Sequence, residues 1–156
     1  MNDYIQSMRK YISHERLMII GGSVIVYKNG KILLQLRKDN CCWSYHGGCV
    51  ELGELVEETA KRELFEETGL VANSLELMGI FSGAELFYTY PNGDMVANND
   101  VVYLCEDFSG ETTTETNETT DLRWFDIDNL PENISPPVMK PLAQCLKFIK
   151  NREMRL

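Results

Sequence analysis

Residues 48 to 70, GCVELGELVEETAKRELFEETGL, constrain this chain more than any other stretch. Val56, Ala60 and Leu64 recur at i, i+4 and i+8, which gives a helix one apolar stripe. Glu63, Glu66 and Glu67 recur at i, i+3 and i+4 and gather three carboxylates on a second face. Gly69 stands where a left-handed residue ends a helix. Like charges at these spacings repel by ~0.2–0.5 kcal/mol per pair. One explanation is a plain solvated face. The other is a hard divalent cation, because Mg²⁺ takes carboxylate oxygens together with water and phosphate oxygens.

The whole stretch favours the cation. It resembles the Nudix box, G-x5-E-x7-R-E-U-x-E-E-x-G-U, where U is a bulky aliphatic residue. Gly48, Glu54, Arg62, Glu63, Leu64, Glu66, Glu67, Gly69 and Leu70 match its nine defined positions. The resemblance implies an α/β (α+β) fold, the Nudix-type α/β/α sandwich with a mixed β-sheet. It also implies hydrolysis of a nucleoside diphosphate linked to another moiety, with Mg²⁺ as cofactor and Mn²⁺ as a substitute. Glu66 and Glu67 are then metal ligands, joined by the Gly47 carbonyl. Glu63 is either a ligand or the general base. Arg62 orients carboxylates, with Glu54 as its partner.

Many family members add a distant carboxylate from a loop before a late Trp. Glu118, six residues before Trp124, is the first choice, and Asp121 and Glu115 compete with it. Arg37 ends a strand and is either a solvent-facing terminus or, by resemblance, a phosphate contact. Tyr88 lies eighteen residues after Leu70, a spacing associated with dinucleoside polyphosphate hydrolases. Phe87, Tyr88 and Tyr90 also read as ordinary strand aromatics. The SQPWPFPxS-type array of NADH pyrophosphatases is absent, and so is the proline about sixteen residues past the box found in many ADP-ribose pyrophosphatases. ADP-ribose, a dinucleoside polyphosphate and a nucleoside triphosphate therefore all stay open as substrates. The rival class is a noncatalytic nucleotide-sensing module on the same fold, which an intact box disfavours.

Along the chain, residues 3 to 12 read as a helix with Ile5, Met8 and Ile12 on one side. This extension, residues 1–14, packs either on the domain or on a second copy in a homodimer. The Nudix domain is expected over 15–152. Leu17 to Tyr27 reads as a buried strand with Gly21-Gly22 at a bend or bulge. Asn29-Gly30 marks a hairpin turn into Lys31–Arg37. Gly47 and Gly48 let backbone approach a metal or phosphate. His46 replaces the proline common before them and is read as a tolerated substitution. Two strand-like pieces flank Ser82-Gly83, a strand follows over 100–108, and Leu122–Ile127 forms another. The polar 111–120 segment reads as an exposed loop. Ser135-Pro136-Pro137 breaks the chain before an amphipathic helix carrying Val138, Leu142, Cys145, Leu146 and Ile149.

Charge and cysteine content narrow the partners. A net charge of −9 argues against nonspecific nucleic-acid or anionic-membrane binding. It would also repel a polyphosphate, unless bound cations invert the local field. Five cysteines without a C-x-x-C pair fit free thiols in a reducing, cytoplasmic setting. No apolar run reaches the ~18 residues of a membrane span, and the start MNDYIQSMRK has no signal-peptide core.

Overall fold

The computed structural model describes residues 3–114, 116 and 118–156. A mixed sheet lies between two helices, as the box resemblance implied. Its central path runs β10 (Thr119–Asp126), β2 (Lys31–Arg37), β1 (Leu17–Lys28), β8 (Met95–Cys105) and β6 (Glu76–Phe81). Three short strands pair at its margins: β3 (Trp43–Ser44) with β2, β4 (His46–Cys49) with β1, and β7 (Phe87–Thr89) with β8. A separate ribbon joins β5 (Val71–Ala72) to β9 (Phe108–Ser109). Among the described strands only β1 and β8 pair in parallel, from Leu17 opposite Val96 to Val26 opposite Cys105.

The period of two along β1 explains the layers. Val24 and Val26 face helix α2 (Val56–Thr68) and pack with Ala60, Leu64 and Leu33. Ile25 and Tyr27 point to the other side and pack with Leu142, Cys145, Leu146 and Ile149 of helix α3 (Pro136–Glu153). A strand covered on both faces needs continuous apolar residues rather than alternation. Helix α1 (Asp3–Ile12) lays Ile5, Met8 and Ile12 against Leu17, Ile19 and Val96 of its own chain.

Three local expectations need correction. Gly21 and Gly22 form no bulge in β1, which stays in continuous register there with β4 and β8. Gly22 is required by close approach instead, since a Cβ would lie 2.7 Å from the Val56 carbonyl oxygen at the start of α2. Strand β8 begins at Met95, earlier than expected. Its polar Asn98 and Asn99 resemble loop in sequence, but parallel pairing with β1 holds them extended. Pro136 and Pro137 do not break the chain. They open α3, where a missing N–H costs nothing.

Candidate active site

Helix α2 starts without a side-chain cap at Leu55 and ends at Gly69, whose φ of 82° is left-handed. Between these ends it directs Glu63 and Glu67 toward β4 and β2. Glu67 is buried and Glu63 nearly so, while Glu66 stands at the rim with its side chain 55% exposed. Across the cleft, the segment entering β10 brings in Glu118. One carboxylate oxygen each from Glu63, Glu67 and Glu118 lies within 4.8 Å of the other two. Glu118 thus joins the helix carboxylates. Asp121 does not, because it turns to Arg123 at 2.7 Å. Glu115 lies outside the described residues.

Buried hydrogen bonds hold this arrangement. Gln35 Nε2 donates to Glu67 Oε2 at 2.6 Å, and the Gly47 amide donates to the same oxygen at 3.2 Å. Thr119 Oγ1 donates to Gln35 Oε1 at 2.7 Å. One amide therefore links the helix carboxylate to the residue after Glu118. The Glu118 carbonyl accepts from the Lys38 amide at 3.1 Å. The β10–β2 register shifts between Thr119 and Asp121, a bulge beside the acidic cluster. His46 is completely buried, with Nε2 at 3.1 Å from the Leu33 carbonyl oxygen. Among the described residues its Nδ1 has no hydrogen-bond partner; it lies 3.5 Å from Glu67 Oε2, within ion-pair reach but out of hydrogen-bond alignment.

Arg62 gathers the outer carboxylates. It reaches Glu54 at 2.7 and 3.1 Å, Glu63 at 2.9 Å and Glu66 at 3.3 Å. The arginine hydrogen bonds pull Glu54 down to about 2. Burial and the neighbouring Glu67 charge push Glu63 up to about 7, against Arg62. Burial also pushes Glu67 up. Two carboxyls held above their ordinary range side by side are a site short of positive charge. The donor set is all oxygen, which suits a hard divalent ion. The glycines clear the space. A Cβ on Gly48 would meet Glu63 Oε1 at 2.3 Å, and one on Gly47 would meet Ser23 Oγ at 2.3 Å.

A cavity of about 290 Å³ opens from this cluster and is lined by Gly47, Gly48, Arg37, Tyr90 and Asp100 among others. Arg37 faces it while pairing with Asp39 at 2.7 Å. Burial opposes its charge, but the Asp39 hydrogen bonds prevail and keep it protonated. Tyr88 is not part of the lining. Its hydroxyl accepts from Asn40 at 3.2 Å, and its ring packs edge-on against Tyr90 at 5.0 Å. Tyr90 is the aromatic that reaches the cavity. Sequence reasoning passed over Gln35, although a polar residue among the leucines of KILLQLR was a visible signal. It also passed over Ser23, Tyr45 and Asp100 as site residues.

A three-layer sandwich with a helix-borne carboxylate cluster at the end of its sheet defines a class of fold and site. The NUDIX domain family model matches residues 20–145, and the chain belongs to that family. It is 35% identical over 111 residues to an ADP-ribose pyrophosphatase of Methanocaldococcus jannaschii, covering 69% of this chain and 62% of that protein. It is 30% identical over 113 residues to an oxidized purine nucleoside triphosphate hydrolase of Danio rerio, covering 69% and 66%. The chain thus spans a little under two thirds of the length of either relative. Among solved structures, a MutT NUDIX hydrolase from Burkholderia pseudomallei superposes with a TM-score of 0.70 at 29% identity, covering 83% of this chain and 98% of that one. Among the described residues, no helix is long and apolar enough to cross a membrane.

Proposed function

We propose that this protein is a Mg²⁺-dependent pyrophosphohydrolase that cleaves a nucleoside diphosphate linked to another moiety. The observation that carries this reading is the meeting of Glu63, Glu67 and Glu118 within 4.8 Å at one end of a cleft floored by glycine backbone. These three carboxylates would hold the ion, with Glu66 at the rim and the Gly47 carbonyl as further oxygen donors. When bound, Mg²⁺ neutralises the anhydride oxygens and lowers the pKa of water.

The chain's own groups do the rest. Glu63, with one oxygen turned to the cluster, would take the proton of the attacking water on the other. The new phosphorus–oxygen bond forms as the anhydride bond breaks, and the bridging oxygen leaves on the departing phosphate. Arg62 and Glu54 fix the helix carboxylates but touch no reacting atom. Arg37 faces the cleft as the cation for a phosphate oxygen. The similarity to an ADP-ribose pyrophosphatase and to a nucleoside triphosphate hydrolase supports a nucleotide derivative as substrate.

A panel of ADP-ribose, dinucleoside polyphosphates and nucleoside triphosphates, with Mg²⁺ and with EDTA, tests the proposal. Chromatography of the products reads substrate and cleavage position together. Turnover of at least one nucleotide that EDTA abolishes is expected, and no turnover across the panel would refute it.

A further inference from the structure

The same cleft holds a fourth carboxylate that the metal cluster does not use. Asp100 sits on β8 opposite Gly21 of β1, which in turn lies opposite Cys49 of β4. Ser23 Oγ donates to its Oδ1 and Tyr45 Oη donates to its Oδ2, each at 2.6 Å. Among the described residues no cationic side chain pairs with it. A carboxylate sunk into protein without a cation is costly unless hydrogen bonds replace the lost water. Two hydroxyls satisfy only part of its accepting capacity, because each carboxylate oxygen has a second lone pair.

The surroundings leave this carboxylate open to a ligand. A Cβ on Gly21 would lie 3.0 Å from Oδ1, so only glycine keeps that oxygen uncovered at close range. Ile19, Tyr90 and Val138 add apolar and aromatic wall to the same cavity. Burial pushes Asp100 up, but the Ser23 and Tyr45 hydroxyls donating to its two oxygens favour the ionised form. A fixed carboxylate repels phosphate oxygens, so the anhydride belongs with the cation-binding cluster and Arg37. What remains of the substrate is rich in hydrogen-bond donors.

Taking the hydrolase reading above as its basis, we infer that Asp100 is the nucleoside-recognition residue of this cleft, accepting hydrogen bonds from a ribose hydroxyl or a base N–H. Ser23 and Tyr45 act on substrate through Asp100 and are positioning residues. They fix the carboxylate so that it loses little freedom when a nucleotide arrives. A site built to accept from a donor rejects analogues that lack it, because its buried oxygen is then left unpaired.

Calorimetric titration with uncleavable ligands tests this. The probes are the four common ribonucleoside 5′-monophosphates, their 2′-deoxy counterparts, and methylene-bridged pyrophosphate as the ligand without a nucleoside, all with Mg²⁺. At least one monophosphate is expected to bind the native protein. Asp100→Asn should weaken it about tenfold or more, while pyrophosphate binds no more weakly. If the ribose is the donor, the native preference for ribo over deoxy forms disappears in the variant. If the base is the donor, the preference among bases disappears instead. Should Asp100→Asn fail to fold, Tyr45→Phe and Ser23→Ala are read in the same titration. Each should weaken the nucleotide several-fold with melting temperature and pyrophosphate affinity retained. Absence of monophosphate binding to the native protein, unchanged affinities in the variants, or loss of pyrophosphate in proportion would overturn the inference. Magnesium-dependent turnover by the native protein is a separate readout, so the hydrolase reading can stand where this one falls.

Discussion

The two ends of the cleft solve the problem of a buried carboxylate differently. At one end Glu63, Glu67 and Glu118 crowd together, with Arg62 compensating only the outer side. At the other end Asp100 stands alone between two hydroxyl donors. The cluster keeps an unbalanced charge that a cation would neutralise, whereas the single carboxylate needs only donors. Burial and charge in the same pocket therefore point to two kinds of ligand, an ion and the donor-bearing part of a nucleotide.

The largest expected effects break the cluster end. Glu67→Gln or Glu63→Gln should lower kcat by roughly 10²–10⁴-fold or more, with far-ultraviolet circular dichroism unchanged. Near-native Mg²⁺-dependent turnover in both would remove their roles. Glu118→Gln should also lose rate, by a smaller factor, with little change in melting temperature because its side chain is exposed. An unchanged rate would take Glu118 out of the metal site.

A subtler effect separates ligand from support. Thr119→Val deletes the hydroxyl that orients Gln35, and Gln35→Leu deletes the donor to Glu67. Either should weaken Mn²⁺ binding, followed by electron paramagnetic resonance, by roughly 10–100-fold as partners of metal ligands do. Thr119→Ser should restore it. Lower melting temperature with unaltered Mn²⁺ affinity would make the pair purely structural.

The smallest effect concerns pH. Glu63 titrates at about 7 in the fold but near its ordinary value, 4.5, when unfolded. Between these values the native state binds a proton that the unfolded chain has released, so stability falls as pH rises. This contribution is complete below about 4.5 and is lost as pH climbs through about 7. Glu67 shifts in the same direction. In EDTA, melting temperature should therefore decline between about pH 5 and about pH 8, with a shallower decline in Glu63→Gln. Saturating Mg²⁺ should offset the decline, since it favours the ionised carboxyls. A flat profile in EDTA would contradict the unbalanced charge.

Much of the cluster end was legible in sequence because it is local. The 3.6-residue period put Glu63 and Glu67 on one face, the left-handed Gly69 closed the helix, and Arg62 could reach Glu54 across one turn-and-helix unit. Glu118 was legible only through its place before Trp124, since nothing nearby distinguishes it from Glu115 or Asp121. Glu66 stands at the rim because it lies about 100° around the helix from Glu67, and there it pairs with Arg62 at 3.3 Å. The other end was illegible because it is made by strand register. Ser23 and Asp100 meet across 77 residues through a parallel pair that no short pattern announces. Tyr90, just past β7, lines the cleft, while Tyr88, opposite Val96, does not.

The central claim is that the carboxylates of Glu63, Glu67 and Glu118 together hold a divalent cation. A crystal soaked in Mn²⁺ and measured at the manganese absorption edge tests it directly. An anomalous peak at roughly 2.0–2.3 Å from oxygens of all three is expected, and it should vanish in Glu67→Gln. A peak elsewhere, or none beside residues 63–67 at a concentration that supports turnover, would contradict the account.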